Sequence, residues 1–282
     1  MLVNLNDVLL DAKRNKYAVG LFNTINLEMA RGVLSAAEEM RSPVIIGTAE
    51  VLLPYGGLRE LAPLLKDMAK RASVPVVLHF DHGLTEENVN LAMDLGFSSI
   101  MYDCSTLDFE GNQKAVADMV KKAHSKGITV EGELGHVGAN SDSAEGSGEG
   151  DESIYTEPDK AKAFVENTNV DALAVAIGTA HGAYKSAPKL DLKRLEEIAS
   201  TISTPLVLHG GSGLSDEDFK NTIAGGISKV NIFTDINCAA SKAAYDNFQN
   251  GCGITDLIPH IIEAIKLETE KKMKLFGSVN KA

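Results

Sequence analysis

The sequence PVVLHFDHGLTEENVNLAMDLGFSSIMYD, at positions 75–103, contains the pattern that decides the fold. An apolar run at 75–80 is followed by the amphipathic stretch EENVNLAMDLG and then by a β-rich run at 98–103. Short runs rich in Val and Ile favour strands, and apolar residues at helical spacing favour helices. A strand, a helix and a second strand in this order indicate a parallel sheet, because parallel neighbours need a long crossover between them.

The same alternation continues along the whole chain. Eight β-rich runs can be identified, at 18–23, 43–49, 75–80, 98–103, 128–134, 172–178, 205–210 and 227–233. Further helices are predicted at 5–15, where one would cover the bottom of the sheet, and at 256–276. Eight repeats in 282 residues predict a single-domain α/β protein, a (β/α)8 TIM barrel. An open doubly wound sheet is the competing fold, but the first strand lacks the GxGxxG turn that usually follows it there.

Composition fits this fold and narrows the choice of partners. Hydrophobic residues make up 44% of the chain and aromatic residues only 5%, which suits aliphatic strands buried on both faces. A net charge of −12 argues against nucleic acid or an anionic membrane as a partner. The sequence has no signal peptide pattern and no long apolar span, and its three cysteines form no CxxC pair. We therefore expect a cytoplasmic protein with free thiols.

Three histidines follow three of the predicted strands. His82, His181 and His209 each come just after an apolar run and directly before a glycine. The carboxyl ends of parallel strands meet at one rim, so these imidazoles should converge there. Three neutral nitrogens leave the fourth position of a tetrahedral zinc ion open, which is typical of a catalytic site. A single histidine at such a place would more simply bond a backbone carbonyl, but three at equivalent places favour a metal.

Other polar residues lie at the same predicted rim. Asp81 precedes the first of the three histidines, and Asp103 and Glu133 end two further strands. These last two carboxylates could orient imidazoles, bind a second or displaced cation, or cap the following loops. The glycine-rich HGGSG at 209–213 and the NIFT at 231–234 follow the last two strands, where barrels commonly bind phosphate; a plain tight turn is the alternative for the first.

One segment differs in composition from the rest of the chain. Residues 138–157, GANSDSAEGSGEGDESIYTE, are rich in Gly, Ser and acidic side chains and follow the fifth predicted strand. Such a composition cannot form a packed core, so a mobile loop is expected. It could be a solvated tether or a lid over the active site.

With these motifs in place, the sequence resembles the class II, metal-dependent ketose-bisphosphate aldolases, which include fructose- and tagatose-bisphosphate aldolases. The resemblance is carried by AVGLFN at 18–23, VPVVLHFDHG at 74–83, GFSSIMYDCS at 96–105, VEGELGHVG at 130–138, AVAIGTAHGAYK at 174–185, PLVLHGGSG at 205–213 and KVNIFTD at 229–235. It covers nearly the whole chain.

This resemblance implies a role for each residue of the predicted rim. His82, His181 and His209 would bind the catalytic zinc, and Asp81 would exchange the proton of the aldehyde oxygen. Asp103 and Glu133 would lie where some relatives place a second metal, and a monovalent cation is a further option. Dihydroxyacetone phosphate would be held by Gly182, Gly210, Gly211, Ser212, Asn231, Ile232, Phe233 and Thr234, with Asn23 near the reacting carbons. A loop acid, Asp142, Glu145, Glu149 or Glu152, would abstract the proton from the triose phosphate. A homodimer or homotetramer is also implied.

The chain departs from the family pattern at one place. Bisphosphate members usually carry an arginine-containing segment after the eighth helix, whereas DNFQNGCGITDLIPH at 246–260 has no Arg or Lys. A distal phosphate would be poorly held without a cation, so the aldehyde half could lack one. Three other hypotheses remain: a Schiff-base aldolase, for which the strand at 172–178 has no lysine; a metal-dependent amidohydrolase, whose usual HxH pair is missing from the first strand; and a non-catalytic sugar-phosphate-binding barrel.

Overall fold

The computed structural model describes residues 1–138, 155–182 and 188–282. The strands are β1 (Leu2–Val3), β2 (Val19–Asn23), β3 (Val44–Ala49), β4 (Val76–Gly83), β5 (Ser99–Tyr102), β6 (Thr129–Leu134), β7 (Ala172–Val175), β8 (Leu206–Leu208) and β9 (Ile227–Ile232). The helices are α1 (Leu5–Asn15), α2 (Leu27–Met40), α3 (Leu58–Arg71), α4 (Glu86–Leu95), α5 (Phe109–His124), α6 (Pro158–Thr168), α7 (Leu192–Thr201), α8 (Asp216–Ala224), α9 (Thr234–Asn247) and α10 (Ile254–Phe276), with a 3₁₀ turn at Glu50–Leu52.

Strands β2 to β9 form a closed parallel barrel. Each pairs in parallel with its sequence neighbours, and β2 pairs with β9, with Leu21 opposite Asn231. Helices follow the strands on the outside, so the predicted (β/α)8 TIM barrel is confirmed. Every predicted strand is present, with ends that differ by a few residues. The short strand β1, which sequence reasoning did not predict, pairs with the start of β4.

The barrel interior is divided into an apolar and a polar half. Side chains alternate along a strand, so every second residue points inward. Near the amino ends of the strands these include Leu21, Ile45, Val77 and Val207, which pack with Leu9 of α1. The predicted helix α1 therefore closes the barrel bottom, as its apolar face suggested.

The upper half of the interior carries polar side chains instead. Buried inward-facing residues there are Asn23, His79, Asp81, Glu131, Glu133, His209, Lys229 and Asn231. Burying this many charged and polar groups costs free energy unless they are paired or bind a ligand. The carboxyl end of the barrel is therefore the place to look for function. Among the described helices, none is long and apolar enough to span a membrane.

Candidate metal centre and active site

The three predicted metal ligands converge at the carboxyl end of the barrel. The ring centroid of His82 lies 4.5 Å from that of His209 and 4.9 Å from that of His181, and the last two are 5.8 Å apart. One potential ligand atom from each residue lies within 4.8 Å of the other two. Three imidazoles from β4 and from the loops after β7 and β8 thus surround one point.

His82 reaches this point through an unusual backbone conformation. Strand β4 continues to Gly83, beyond its predicted end, and His82 has a φ of 40°. A left-handed conformation costs a non-glycine residue about 1–2 kcal/mol. Such strain persists only where the surroundings fix it and is common at functional sites. With this conformation the side chain of His82 faces the other two histidines. The side chain of the preceding residue, Asp81, points into the barrel.

Carboxylates fix the orientation of two of the rings. His82 Nδ1 lies 2.8 Å from Asp103 Oδ2, and His209 Nε2 lies 2.9 Å from Glu131 Oε1. An ionised carboxylate only accepts hydrogen bonds, so each of these nitrogens carries the proton and donates it. When a ring carries only this one proton, which is the form that binds a metal, its opposite nitrogen is a lone-pair acceptor.

Those opposite nitrogens have the properties of metal ligands. His82 Nε2 and His209 Nδ1 are buried and make no hydrogen bond within the described residues. The nearest acid to His209 Nδ1 is Glu133, whose Oε2 is 3.4 Å away. A buried imidazole acceptor without a donor is costly, and a divalent cation removes that cost. The donor set therefore fits a metal ion.

The two further carboxylates of the predicted rim also lie close to His82. Asp103, Glu133 and His82 form a second group whose potential ligand atoms lie within 4.8 Å of one another. Asp103 accepts from the backbone N–H of Ser105, and Glu133 accepts from that of Val137. Burial, together with the negative charge of Asp103, raises the pKa of Glu133 to about 8. A second cation between the two acids stays a prediction.

Asp81 is held by two amide groups. Asn23 Nδ2 donates to Asp81 Oδ2 over 2.8 Å, and Asn231 Nδ2 lies 3.0 and 3.1 Å from the two carboxylate oxygens. Burial would raise the pKa of Asp81, but the positive charges of His82 and Lys229 outweigh it and hold that pKa well below its usual range. Asp81 is therefore an ionised base in a fixed orientation beside the histidines.

The predicted phosphate-binding glycines occupy tightly packed turns. Gly210 has a φ of +65°, and a Cβ there would lie 2.4 Å from the carbonyl oxygen of Ala180. Gly182, directly after His181, has a φ of +87°. Helix α9 begins at Thr234, and its Asp235 N–H lies 3.5 Å from Ser212 Oγ, so the helix start faces the glycine loop.

Two of the predicted phosphate-binding residues can offer a ligand only their backbone groups. The side chains of Ile232 and Phe233 are buried in the hydrophobic core, so only their backbone groups are available for a ligand. The candidate proton-abstracting acids Asp142, Glu145, Glu149 and Glu152 lie outside the described residues, as does most of the segment 138–157.

Two buried residues that sequence reasoning missed lie beneath the site. Lys229 and Glu131 are fully buried and form an ion pair of 2.8 Å between Nζ and Oε2. His79 is also fully buried, and its Nδ1 lies 2.7 Å from Ser99 Oγ. A charged residue within a predicted buried strand, such as Lys229 in ISKVNIF, was the available signal.

Comparison with known proteins identifies the family. The family model "Fructose-bisphosphate aldolase class-II" matches residues 3–281. The chain belongs to this family. It is 38% identical to a fructose-bisphosphate aldolase of Staphylococcus aureus and 39% identical to one of Geobacillus stearothermophilus, each match covering 100% of the chain and 99% of the relative.

Solved structures give the same result. The YdjI aldolase of Escherichia coli K12 is 37% identical and superimposes with a TM-score of 0.88 over the full length of both chains. A putative fructose-1,6-bisphosphate aldolase of Coccidioides immitis is 30% identical, with a TM-score of 0.90 over 99% of this chain and 97% of that one. Membership of a class II family implies a divalent metal, and the histidine cluster fits one.

Proposed function

We propose that this protein is a zinc-dependent aldehyde-lyase that reversibly cleaves a ketose 1-phosphate or ketose 1,6-bisphosphate to dihydroxyacetone phosphate and an aldehyde. The observation that carries the proposal is the convergence of His82, His181 and His209 beside an ionised Asp81. A buried base beside a metal centre suits a cleavage in which a hydroxyl group loses its proton and the metal stabilises the negative charge that develops on a ketone oxygen.

The three histidines would hold the zinc ion. Bound there, zinc supplies a Lewis acid that stabilises the negative charge developing on the ketone oxygen. Asp103 and Glu131 keep His82 and His209 in the tautomers that leave their other nitrogens as acceptors. Asp103 and Glu133 could in addition hold a second divalent or a monovalent cation.

Asp81 would carry the proton of the aldehyde oxygen. In cleavage the hydroxyl at C4 loses its proton to Asp81, the C3–C4 bond breaks, and its electron pair stays on C3 while C4 becomes the aldehyde. An acid then protonates C3, and one of Asp142, Glu145, Glu149 and Glu152 would serve. Condensation follows the same steps in reverse. Donation from Asn23 and Asn231 keeps the carboxylate in one orientation for both directions.

Local groups would bind the phosphate of the triose half. The chain carries a net charge of −12, so its overall field does not attract a phosphate. Backbone N–H groups of the turns at Gly182 and at Gly210 to Ser212, together with Asn231 and the Ile232–Thr234 segment at the start of α9, offer donors and a favourable helix dipole.

The aldehyde half could lack a phosphate. Residues 246–260, which connect the end of α9 to the start of α10, contain no Arg or Lys. We therefore expect turnover of fructose 1-phosphate and related ketose 1-phosphates to equal or exceed that of fructose 1,6-bisphosphate. A strong preference for the bisphosphate would contradict this part of the proposal.

An aldol-cleavage assay on wild type and on Asp81→Ala tests the function as a whole. Removing a positioned acid–base group should lower kcat by roughly 10²–10⁴-fold, while zinc content measured by mass spectrometry stays that of wild type. A non-catalytic sugar-phosphate binder would have no activity to lose. A Schiff-base aldolase would be labelled by borohydride in the presence of substrate, and we expect no label.

We also expect a homodimer or homotetramer in the cytoplasm. Three large apolar side chains near the connection of α9 to α10 are well exposed, Tyr245 at 84%, Phe248 at 62% and Ile254 at 65%. A contiguous exposed apolar patch is typical of a subunit contact, and these three side chains are candidates for one. Light scattering on the purified protein tests the oligomeric state, and a monomer would contradict it.

A further inference from the structure

Lys229 is a charged residue of the barrel interior that the proposed chemistry does not use. It lies on β9, two residues before Asn231, and its side chain is fully buried. Lysine is almost never fully buried unless it is paired. Lys229 lies deeper in the barrel than Asp81 and His209, so we asked what its charge does for these two residues.

The Lys229 ammonium joins two hydrogen-bonded chains. Its Nζ donates to Asn231 Oδ1 over 2.7 Å, and Asn231 Nδ2 donates in turn to Asp81. The same Nζ lies 2.8 Å from Glu131 Oε2, and the other oxygen of Glu131 accepts from His209 Nε2. One series of hydrogen bonds therefore ends at the proposed base, Asp81, and the other ends at the proposed metal ligand, His209.

The chemistry of an ammonium group determines how Asn231 must point. An ammonium has three donors and no acceptor, so only the carbonyl oxygen of Asn231 can face it. The NH₂ group of the amide must then face Asp81, where it is needed. If Lys229 were apolar, nothing would anchor the amide oxygen, and the Asn231 side chain could turn away from the Asp81 carboxylate.

We propose that Lys229 is a positioning residue for aldol cleavage. It fixes the amide of Asn231 so that Asp81 is aimed at the C4 hydroxyl, and it balances the charge of the Glu131 that orients His209. This inference rests on the proposed function. The simpler reading is that Lys229 only neutralises Glu131.

A double variant distinguishes the two roles of Lys229. Lys229→Met alone leaves the Glu131 charge buried and unpaired, which can unfold the protein. The double variant Lys229→Met/Glu131→Gln keeps the charge balanced, and its glutamine oxygen can still accept from His209. The matched control is Lys13→Met at the barrel bottom, where Nζ donates to the carbonyls of Ile202 and Thr204.

The readout is a comparison of two reactions of the purified protein. Aldol cleavage needs Asp81, whereas exchange of the hydroxymethyl proton of dihydroxyacetone phosphate with D₂O does not. In the double variant, kcat for cleavage should fall by roughly 100-fold, as expected for a misplaced reacting group. Its proton-exchange rate, measured with zinc and dihydroxyacetone phosphate both saturating, should fall much less than kcat for cleavage, because Asp81 takes no part in the exchange. Lys13→Met should keep the wild-type kcat.

Several results would overturn the inference. A double variant with the wild-type kcat would show that Lys229 is only a counter-ion. An equal loss of cleavage and exchange would show that the variant disturbs the whole site and not Asp81 in particular. Borohydride labelling of Lys229 with substrate would make it a nucleophile. Wild-type protein inactive in both reactions would contradict the proposed function itself.

Discussion

Replacement of Gly210 by alanine tests whether the loop after β8 is held in place by its packing. The added Cβ would lie 2.4 Å from the Ala180 carbonyl oxygen and 2.7 Å from its carbon. Ordinary contacts are about 3.5–4.0 Å, so the loop must move by about 1 Å away from the residue that precedes His181. The positive φ of +65° adds about 1–2 kcal/mol of strain.

A displacement of this size should impair activity much more than it impairs folding. Movement of a catalytic loop by about 1 Å can cost roughly 100-fold in rate. The matched control is Gly127→Ala, where φ is +72° and no atom lies within 4 Å of the added Cβ. Both variants should lose about 1–2 kcal/mol of unfolding free energy through backbone strain, measured by urea denaturation, and Gly210→Ala should lose more.

The two variants should separate clearly in the cleavage assay. We expect kcat/KM to be unchanged in Gly127→Ala and to fall by roughly 100-fold in Gly210→Ala. Equal activity of the two variants would refute the reasoning, because it would mean that the close approach of Gly210 to Ala180 has no influence on the site.

Two further predictions concern the metal and the core. Asp103→Asn should weaken zinc affinity by roughly 10–100-fold, measured by competition with a chelator, because the carboxylate no longer orients His82; unchanged affinity would count against an orienting role. Leu9→Ala should lower the free energy of unfolding by about 2–5 kcal/mol, since Leu9 is fully buried between α1 and the barrel. Its kcat should be that of wild type, and a lower value would show that the barrel bottom affects the catalytic end.

The rim of the barrel could be predicted because it depends on simple geometry. Parallel strands end at one edge, so Asp81 near the end of β4 and the histidines in the loops after β7 and β8, His181 and His209, were expected to approach one another. The extension of β4 to Gly83 and the φ of 40° at His82 could not be predicted, because no local sequence pattern encodes a left-handed residue within a strand. The two-residue strand β1 is likewise set by pairing with Val76 and Val77.

The network below the rim was missed for a related physical reason. Strands buried on both faces read as apolar runs, and isolated charges in them draw little attention. Lys229 and Glu131 lie on different strands, nearly a hundred residues apart in the sequence. Only the closed barrel shows that their side chains meet at 2.8 Å. A charge in the inward register of a predicted strand is the signal that could have revealed them.

The most direct test of the account is anomalous diffraction at the zinc absorption edge from crystals of the purified protein. We predict a strong peak at about 2.0–2.1 Å from His82 Nε2, His209 Nδ1 and one nitrogen of His181. If the strongest anomalous peak lay elsewhere, for example between Asp103 and Glu133, it would contradict the three-histidine centre. So would full cleavage activity in protein whose crystals show no zinc peak.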